Sequence, residues 1–407
     1  MADTIGVGGS SMDAELARLC SIRGEAVAIG PEELRARIAR VQAGMRARGI
    51  SALHLDASTS TFYFTGLRLK GSERLHGVII PAEGCITYVT PTFEEAKLRT
   101  MIVVDGAVRC WQEHEDPTAL VIEAVREMGY PSGTLAIDPA TPFFTFDGLR
   151  RAGNRYDFVN ANDVIAPCRM IKTPAEIALI KQAMGMTLEV HKAAARVLRE
   201  GVTTTEMQDF INAAHQRMGA DPGVTFCIVL FGEPTAYPHG VPYPQTLKRG
   251  DMVLIDIGAT LHGYQSDVTR SYVFGEGSAR QRAVWNVEQA ATEAVFAAAK
   301  LGAPCEDLDA AARRVIEGAG FGADYALPGL PHRTGHGLGL DVHEEPYIVR
   351  GNRTLLAPGM CFSNEPTICI YGEFGVRLED HIYMAEDGAH WFTTPARSFD
   401  DPFGLAG

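Results

Sequence analysis

The sequence predicts a two-domain α/β protein. Over the first 160 residues, apolar runs typical of strands alternate with one-sided helical patterns, as expected for a single α/β domain. Beyond that point, long predicted helices alternate with strand-like segments in which acidic residues and histidines cluster. Pro167 and Pro174 bracket a short predicted linker between the two parts. With 407 residues, 46% of them hydrophobic, the chain is long enough to bury a core in each domain.

The first domain is predicted to occupy residues 26–165. A helix is expected at 31–49, because Pro31 suits a first helical turn and apolar residues recur on one face. The other segments follow from apolar runs and turn residues: strands at 52–56, 77–81, 86–89 and 135–138, and a helix at about 93–101. The three histidines of this domain, His54, His76 and His114, are isolated and are assigned structural roles. Residues 1–25 lack the basic start and apolar core of a signal peptide and are predicted to be disordered.

The second domain is predicted to occupy residues 166–407. Three helices are expected, from 175 to about 199, from about 204 onward, and from about 280 to 300. The strands between and after them carry every cluster of acidic residues and histidines that points to chemistry. The chemistry is therefore expected in this domain.

Composition excludes several classes of partner. The net charge of −13 argues against binding a nucleic-acid backbone or an anionic membrane surface. No run of 18 apolar residues is present, so no transmembrane helix is predicted. The eight cysteines are scattered without a CxxC pair, which is typical of reduced thiols and predicts a cytoplasmic protein.

Two carboxylates stand out in the segment VLIDIGATLHGYQSDVTRSYVF, residues 253–274. Asp256 ends an apolar run, and a second strand-like run follows Asp267. Gly258 and Gly263 between the runs predict an antiparallel hairpin that turns at Leu261 and His262. The two aspartates are then expected to lie near each other, where like charges repel.

A second acidic hairpin is predicted in MCFSNEPTICIYGEFGVRLEDHIYM, residues 360–384. Glu365 and Glu379 lie at equal distances from Gly372, in a segment whose centre is built like a turn. On the second strand, Arg377, Glu379 and His381 share one face. Two hairpins would thus bring four carboxylates together. Buried and uncompensated, such anions are very costly, so the pattern predicts a site for two divalent cations.

A further ligand is expected in PHRTGHGLGLDVHEEP, residues 331–346. His332 and His336 have zincin spacing, but the glycines disfavour a helix and Arg333 stands where that motif needs glutamate. The GHGLG run is not followed by a helix, which excludes a dinucleotide loop. The glycines instead suit a backbone that passes close to another group. Three histidines in twelve residues favour at least one ligand among His332, His336 and His343.

The chain resembles the pita-bread metallopeptidases, and within them the Xaa-Pro dipeptidases or prolidases. The resemblance covers nearly the whole chain and rests on five motifs in order: LIDIG, SDVTRS, TGHGLGLDVHE, NEP and RLED. It implies a creatinase-like N-terminal α/β domain and a C-terminal pita-bread α+β domain with a mostly antiparallel, curved sheet. One departure is Thr367, where the family often has glycine after the glutamate and proline of the fourth motif.

The resemblance also implies roles for individual residues. Asp256, Asp267, His336, Glu365 and Glu379 would bind two divalent metal ions, with manganese favoured and zinc or cobalt as alternatives. Glu365 would move the proton, and His343 with His239 would contact the carbonyl oxygen. His332 and Arg377 would hold the proline side of the substrate. From the residues alone, a turn position for His239 and an ion pair between Arg377 and Glu379 remain alternatives.

The activity implied is hydrolysis of the Xaa-Pro bond of a dipeptide by a hydroxide that bridges the two metal ions. The resemblance further implies a homodimer in which the loop from Gly66 to Gly77 reaches the partner's site. Alternatives remain within the same fold: an aminopeptidase P acting on longer peptides, or a hydrolase or lyase of a non-peptide substrate. A metal-free enzyme or a non-catalytic binding module of this fold is disfavoured, because all four acidic ligands are present.

Overall fold

The computed structural model describes residues 3–405, which divide into two compact units. Residues Ile29–Arg169 form one unit, and the rest of the described chain forms the other. The helices are α1 (Met12–Arg18), α2 (Pro31–Ala47), α3 (Thr59–Thr65), α4 (Glu95–Met101), α5 (Pro117–Glu127), α6 (Phe143–Ala152), α7 (Asn162–Met170), α8 (Pro174–Arg196), α9 (Thr204–Met218), α10 (Ala279–Ala298) and α11 (Cys305–Gly318). Within the described residues, no helix combines the length and the apolar character that crossing a membrane requires.

The strands follow the same chain order. They are β1 (Ile50–Asp56), β2 (Gly77–Pro81), β3 (Thr87–Pro91), β4 (Ala107–Trp111), β5 (Gly133–Ile137), β6 (Tyr156–Asn160), β7 (Asp221–Phe231), β8 (Met252–Leu261), β9 (Tyr264–Gln265), β10 (Val268–Val273), β11 (Gly335–Gly337), β12 (Glu344–Ile348), β13 (Cys361–Asn364), β14 (Thr367–Ile370), β15 (Phe374–Arg377), β16 (Asp380–Ala385) and β17 (Gly388–Trp391).

The first unit is built on a mixed six-stranded sheet. Its strand order is β4-β3-β2-β1-β5-β6, and only the pairs β1/β2 and β2/β3 are antiparallel. The expected helix near residue 31 and all four predicted strands of this domain are confirmed to within a few residues. The apolar face of α2 is buried as its spacing predicts, with the side chains at positions 34, 38, 41 and 45 nearly inaccessible.

The second unit contains antiparallel sheets packed against four long helices. Strands β10, β8 and β7 form one sheet with β9 added to β8, and the order β12-β11-β13-β16-β17 forms another. Helices α8 and α9 contribute to one apolar core with β7, β8 and β10. Helices α10 and α11 contribute to a second core with β13 to β16. The two-domain fold with a mostly antiparallel second domain is therefore confirmed.

Two expectations about the chain's organisation are wrong. The segment 1–25 was expected to be disordered, yet Ser11 caps helix α1, and Glu15 is fully buried with its carboxylate 2.7 Å from Arg196. These are long-range contacts, which a short polar stretch does not reveal in its own sequence; residues 1 and 2 lie outside the described residues. Pro167 does not border a linker but lies inside α7, so the connection between α7 and α8 is only residues 171–173.

Candidate metal centre

The first acidic hairpin is formed by β8, β9 and β10. Its turn is His262–Gly263, both with positive φ, one residue later than the sequence predicts. Asp256 consequently pairs with Thr269 rather than lying symmetrically opposite Asp267. Because side chains alternate between faces with a period of two, this shift of the pairing by two residues leaves both aspartates on the same face. The expectation that they converge holds, while the expected register is wrong.

The second acidic hairpin has the predicted register. Asn364 pairs with Asp380 in one ladder, and Thr367 pairs with Arg377 in the next. Glu365 and Glu379 lie in the gap between these two ladders, which share one register centred on Gly372. An isolated bridge between Thr269 and Glu379 joins this hairpin to the first, with Glu379 N donating to Thr269 O at 3.1 Å. The bridge brings the two acid pairs to one place.

Strand β11 adds His336 to the four carboxylates. A Cβ atom at Gly335 would lie 2.1 Å from Ser363 O, and one at Gly337 would lie 2.3 Å from Glu345 O. The glycines are therefore required for the close approach of neighbouring backbone, as the sequence indicates. His336 is buried, with Nε2 3.0 Å from Glu365 Oε1 and 3.6 Å from Asp267 Oδ2.

All the sequence-predicted site residues line one cavity of about 790 Å³. It contains the five candidate ligands, three further histidines and two arginines: Asp256, Asp267, His336, Glu365, Glu379, His239, His332, His343, Arg333 and Arg377. The remaining wall is mostly apolar and is formed by Thr225, Phe226, Ile228, Pro238, Pro331 and Val342. A polar, charged floor with an apolar wall suits a small ligand that has both a polar and an apolar part.

The three further histidines differ in how firmly they are held. His332 Nδ1 donates to Arg333 O at 2.6 Å, and its Nε2 lies 3.1 Å from Thr367 Oγ1. Thr367, the departure from the family pattern, therefore anchors His332. His343 and His239 are exposed, and the His343 ring lies edge-on to His336 with the ring centroids 4.1 Å apart.

Arg377 is buried, and each of its three guanidinium nitrogens donates a hydrogen bond. It forms an ion pair with Asp256 at 2.5 Å, and it donates to Pro238 O at 3.1 Å and to Thr269 Oγ1 at 3.2 Å. The alternative ion pair with Glu379 is therefore replaced by one with Asp256. Arg377 thus ties the first acidic hairpin to the loop that carries His239.

In the protein without metal ions, burial raises the pKa values of three of the four clustered carboxylates. Burial raises the pKa of Asp256 to about 6 despite the opposing effect of Arg377, and burial with the Glu365 charge raises the pKa of Glu379 to about 7. Burial and the neighbouring carboxylates raise the pKa of Asp267 well above its usual value. Burial also opposes ionisation of Glu365, but His336, His332 and Arg377 together outweigh it and hold the pKa of Glu365 below its usual value.

The donor atoms fit divalent cations. Asp267, His336 and Glu379 each offer one ligand atom, and these three atoms lie within 4.8 Å of one another. Asp256 Oδ1 and Glu379 Oε1 are buried and have no hydrogen-bond partner among the described residues. Carboxylate oxygens with one imidazole are suitable ligands for Mn²⁺ or Zn²⁺. Bound cations would satisfy the buried oxygens and balance the charge that burial disfavours.

Sequence reasoning assigned no role to three neighbours of the ligands. Thr269 Oγ1 donates to Glu379 Oε2 at 2.7 Å, Ser363 Oγ donates to Glu365 Oε1 at 3.2 Å, and His381 Nε2 lies 3.4 Å from Glu379 Oε1. Each of these residues lies two positions from a ligand along the chain, where an extended backbone places both side chains on the same side. Because side chains alternate along an extended chain, the spacing of two from each ligand is the sequence signal that identifies these residues.

Comparisons with known proteins agree with this geometry. Residues 178–386 match the model of metallopeptidase family M24, and residues 37–171 match the creatinase/prolidase N-terminal domain. The Xaa-Pro dipeptidase of Lactobacillus delbrueckii subsp. lactis is 31% identical over 87% of this chain and 95% of its own. The crystal structure of dipeptidase PepE from Mycobacterium ulcerans is 34% identical, covers 92% of this chain and 99% of its own, and superposes with a TM-score of 0.84. The prolidase of Thermococcus sibiricus is also 34% identical, with coverages of 89% and 98% and a TM-score of 0.82.

Proposed function

This chain belongs to metallopeptidase family M24, and from that premise we propose that it is a Xaa-Pro dipeptidase with two divalent metal ions. The observation that carries the proposal is the convergence of two acid pairs and His336 in one cavity with an apolar wall. The relatives named Xaa-Pro dipeptidase and prolidase support the substrate class.

Five residues would hold the metal ions: Asp256, Asp267, His336, Glu365 and Glu379. When bound there, divalent ions would lower the pKa of a water molecule and polarise the scissile carbonyl group. Glu365 is the proposed proton acceptor, because its carboxylate lies among the proposed ligands in the cavity and would be next to the activated water molecule.

The leaving group of the proposed reaction is the proline nitrogen. A peptide bond before proline has no N–H, so the proline nitrogen must be protonated as it leaves. Glu365 would deliver the proton that it has accepted. His343 and His239 lie on the exposed side of the cavity, where each can donate a hydrogen bond to the carbonyl oxygen as negative charge develops there.

The proline ring requires an apolar surface. Phe226, Ile228 and Val342 form part of the cavity wall and supply one. His332, anchored by Thr367, would contact the proline side of the substrate. Arg377 is better suited to positioning Asp256 and the His239 loop than to holding the substrate carboxylate, since each of its three nitrogens already donates a hydrogen bond within the protein.

The proposal also covers the identity of the metal, the oligomeric state and the location in the cell. Manganese is the favoured metal because the ligand set is rich in oxygen, with zinc or cobalt as alternatives. A homodimer, with the loop from Gly66 to Gly77 reaching the partner's site, and a cytoplasmic location complete it. Sedimentation of a particle near twice the chain mass of 44.0 kDa would support the dimer, and a monomer would contradict it.

Substrate length is the most informative test of the activity. The metal-loaded protein is expected to hydrolyse Ala-Pro and Leu-Pro, and to prefer Gly-Pro over Gly-Pro-Ala. A preference for the tripeptide and for longer Xaa-Pro peptides would move the assignment to an aminopeptidase. No hydrolysis of any Xaa-Pro peptide by protein shown to hold metal would overturn the proposed activity.

A further inference from the structure

The segment that carries Asp267 interrupts its strand ladder. Ser266 and Asp267 belong neither to β9 nor to β10. The Asp267 amide donates to Met184 Sδ at 3.4 Å, not to a carbonyl of the neighbouring strand. The position of this proposed ligand is therefore set partly by groups outside the sheet.

Helix α8 supplies these groups from one face. Met184, Thr187 and His191 are spaced by three and four residues, so their side chains point the same way. Thr187 Oγ1 lies 2.6 Å from Ser266 Oγ, and His191 Nε2 lies 2.8 Å from Val268 O. With Met184 on the Asp267 amide, three successive residues of the interrupted segment are each contacted by a different side chain of α8. All three side chains are fully buried.

The Thr187 contact is part of a longer hydrogen-bonded chain. His215 Nδ1 lies 3.1 Å from Ile211 O, an acceptor, so Nδ1 must carry the ring proton. Burial lowers the pKa of His215 to about 4, so the ring is neutral and Nε2 can only accept. Thr187 then donates to His215 Nε2 at 3.0 Å, so Ser266 donates its one hydroxyl proton to Thr187 rather than to Ala259 O, which lies 3.0 Å from Ser266 Oγ. Ser266 Oγ in turn accepts from Ala259 N at 2.9 Å, which links the chain to β8.

Only one of the two ring nitrogens of His191 has a hydrogen-bond partner in the described part of the chain. Its Nε2 donates to Val268 O, but its Nδ1 is buried and has no hydrogen-bond partner among the described residues. An unsatisfied buried polar atom is unfavourable, so stability alone does not favour histidine over an apolar side chain here. What histidine adds is a donor for the carbonyl next to Asp267.

We propose that α8 positions Asp267 for metal binding, through the Ser266–Thr187–His215 chain on one side of Asp267 and His191 on the other. Thr187, His191 and His215 are positioning residues, because each acts on the ligand through its neighbours. The inference rests on the proposed metal centre. Metal–ligand distances tolerate only a few tenths of an ångström, so loosening this segment weakens the site without unfolding the protein.

The test is calorimetric titration of metal-free protein with MnCl₂, combined with thermal unfolding in EDTA. Thr187→Val keeps the shape of the side chain but removes the hydroxyl, and it is expected to weaken Mn²⁺ binding by about 10–100-fold, the range typical of groups that orient metal ligands. Thr187→Ser keeps the hydroxyl and is expected to bind Mn²⁺ nearly as the unaltered chain does. Ser266→Ala breaks the same chain from the other end and serves if Thr187→Val does not fold.

Thr204→Val is the matched control. Thr204 is a buried threonine on the neighbouring helix α9, and its hydroxyl accepts from Gln245 N, away from the Asp267 segment. It is expected to leave the dissociation constant for Mn²⁺ unchanged. If Thr187→Val and Ser266→Ala lower the melting temperature in EDTA but bind Mn²⁺ like the unaltered chain, the residues are only structural and the proposal is overturned. If the unaltered chain binds no metal, the proposed metal centre itself fails, which is a different result.

Discussion

Replacing a proposed metal ligand should stabilise the metal-free protein. Glu379 is almost fully buried, and its pKa is raised from 4.5 to about 7 by burial and by the charge of Glu365. In an acid whose pKa is raised by folding, the neutral form favours the folded state, so stability is lost as the pH rises from the unfolded pKa through the folded one. Glu379→Gln cannot ionise and escapes this loss.

The size of the effect follows from the two pKa values. At 1.36 kcal/mol per pH unit, the change from 4.5 to about 7 corresponds to about 3 kcal/mol, most of it lost between pH 5 and 8. For a domain of this size, that corresponds to a shift in Tm of roughly 6–12 °C. The difference between variant and unaltered chain is the quantity to follow, because pH effects from groups outside the cluster around Glu379, such as the buried His191 and His215, cancel in it.

The assay is thermal unfolding in EDTA at pH 5 and pH 8.5. Glu379→Gln is expected to gain stability relative to the unaltered chain as the pH rises. With Mn²⁺ at about 1,000 times its dissociation constant, the order reverses, because binding stabilises only the unaltered chain, by about 4.1 kcal/mol, which exceeds the advantage of the variant. Glu373→Gln, an exposed position at the tip of the same hairpin, is the control and should show neither effect. A difference for Glu379→Gln that does not change with pH would refute the reasoning.

The remaining predictions concern metal affinity, catalysis and packing. Metal affinity should rise with pH between 5 and 8, because Asp256 and Glu379, whose pKa values are about 6 and 7, must lose their protons to bind; titration calorimetry at several pH values would detect a flat profile. Glu365→Gln should lower kcat on Ala-Pro by about 10²–10⁴-fold, and near-normal kcat would remove its role in proton transfer. Arg377→Met should destabilise the metal-free protein by about 3–5 kcal/mol, since it leaves Asp256 buried without its partner; chemical denaturation in EDTA measures this, and a change below 1 kcal/mol would contradict it. Gly335→Ala should prevent β11 from packing, because the added Cβ would lie 2.1 Å from Ser363 O; a soluble variant with unchanged metal binding would contradict this.

The second hairpin shows what a sequence determines well. Glu365 and Glu379 were predicted to face each other because the turn residues around Gly372 fix the centre of the segment, and the observed register agrees. In the first hairpin the prediction was one residue off. His262 has a positive φ of 50°, a conformation that residues other than glycine rarely adopt, so the sequence did not identify it as the first position of the turn.

Other features depend on contacts between distant segments. The pairing of Arg377 with Asp256 joins residues 121 positions apart, and the alternative weighed from the sequence was its close neighbour Glu379. Helix α1 is fixed by an ion pair between Glu15 and Arg196. The contacts of α8 with the Asp267 segment likewise could not be predicted from the sequence, because Met184, Thr187 and His191 have the spacing of any buried helix face.

The central claim is that the two acid pairs and His336 together hold two divalent ions. The direct measurement is the metal content per chain, by elemental analysis of protein stripped with EDTA, reconstituted with Mn²⁺ and freed of unbound metal. The account predicts two ions per chain, fewer in Asp267→Asn and His336→Ala, and no hydrolysis of Ala-Pro by the stripped protein. Protein that retains no metal after reconstitution and still hydrolyses Ala-Pro in EDTA would contradict it.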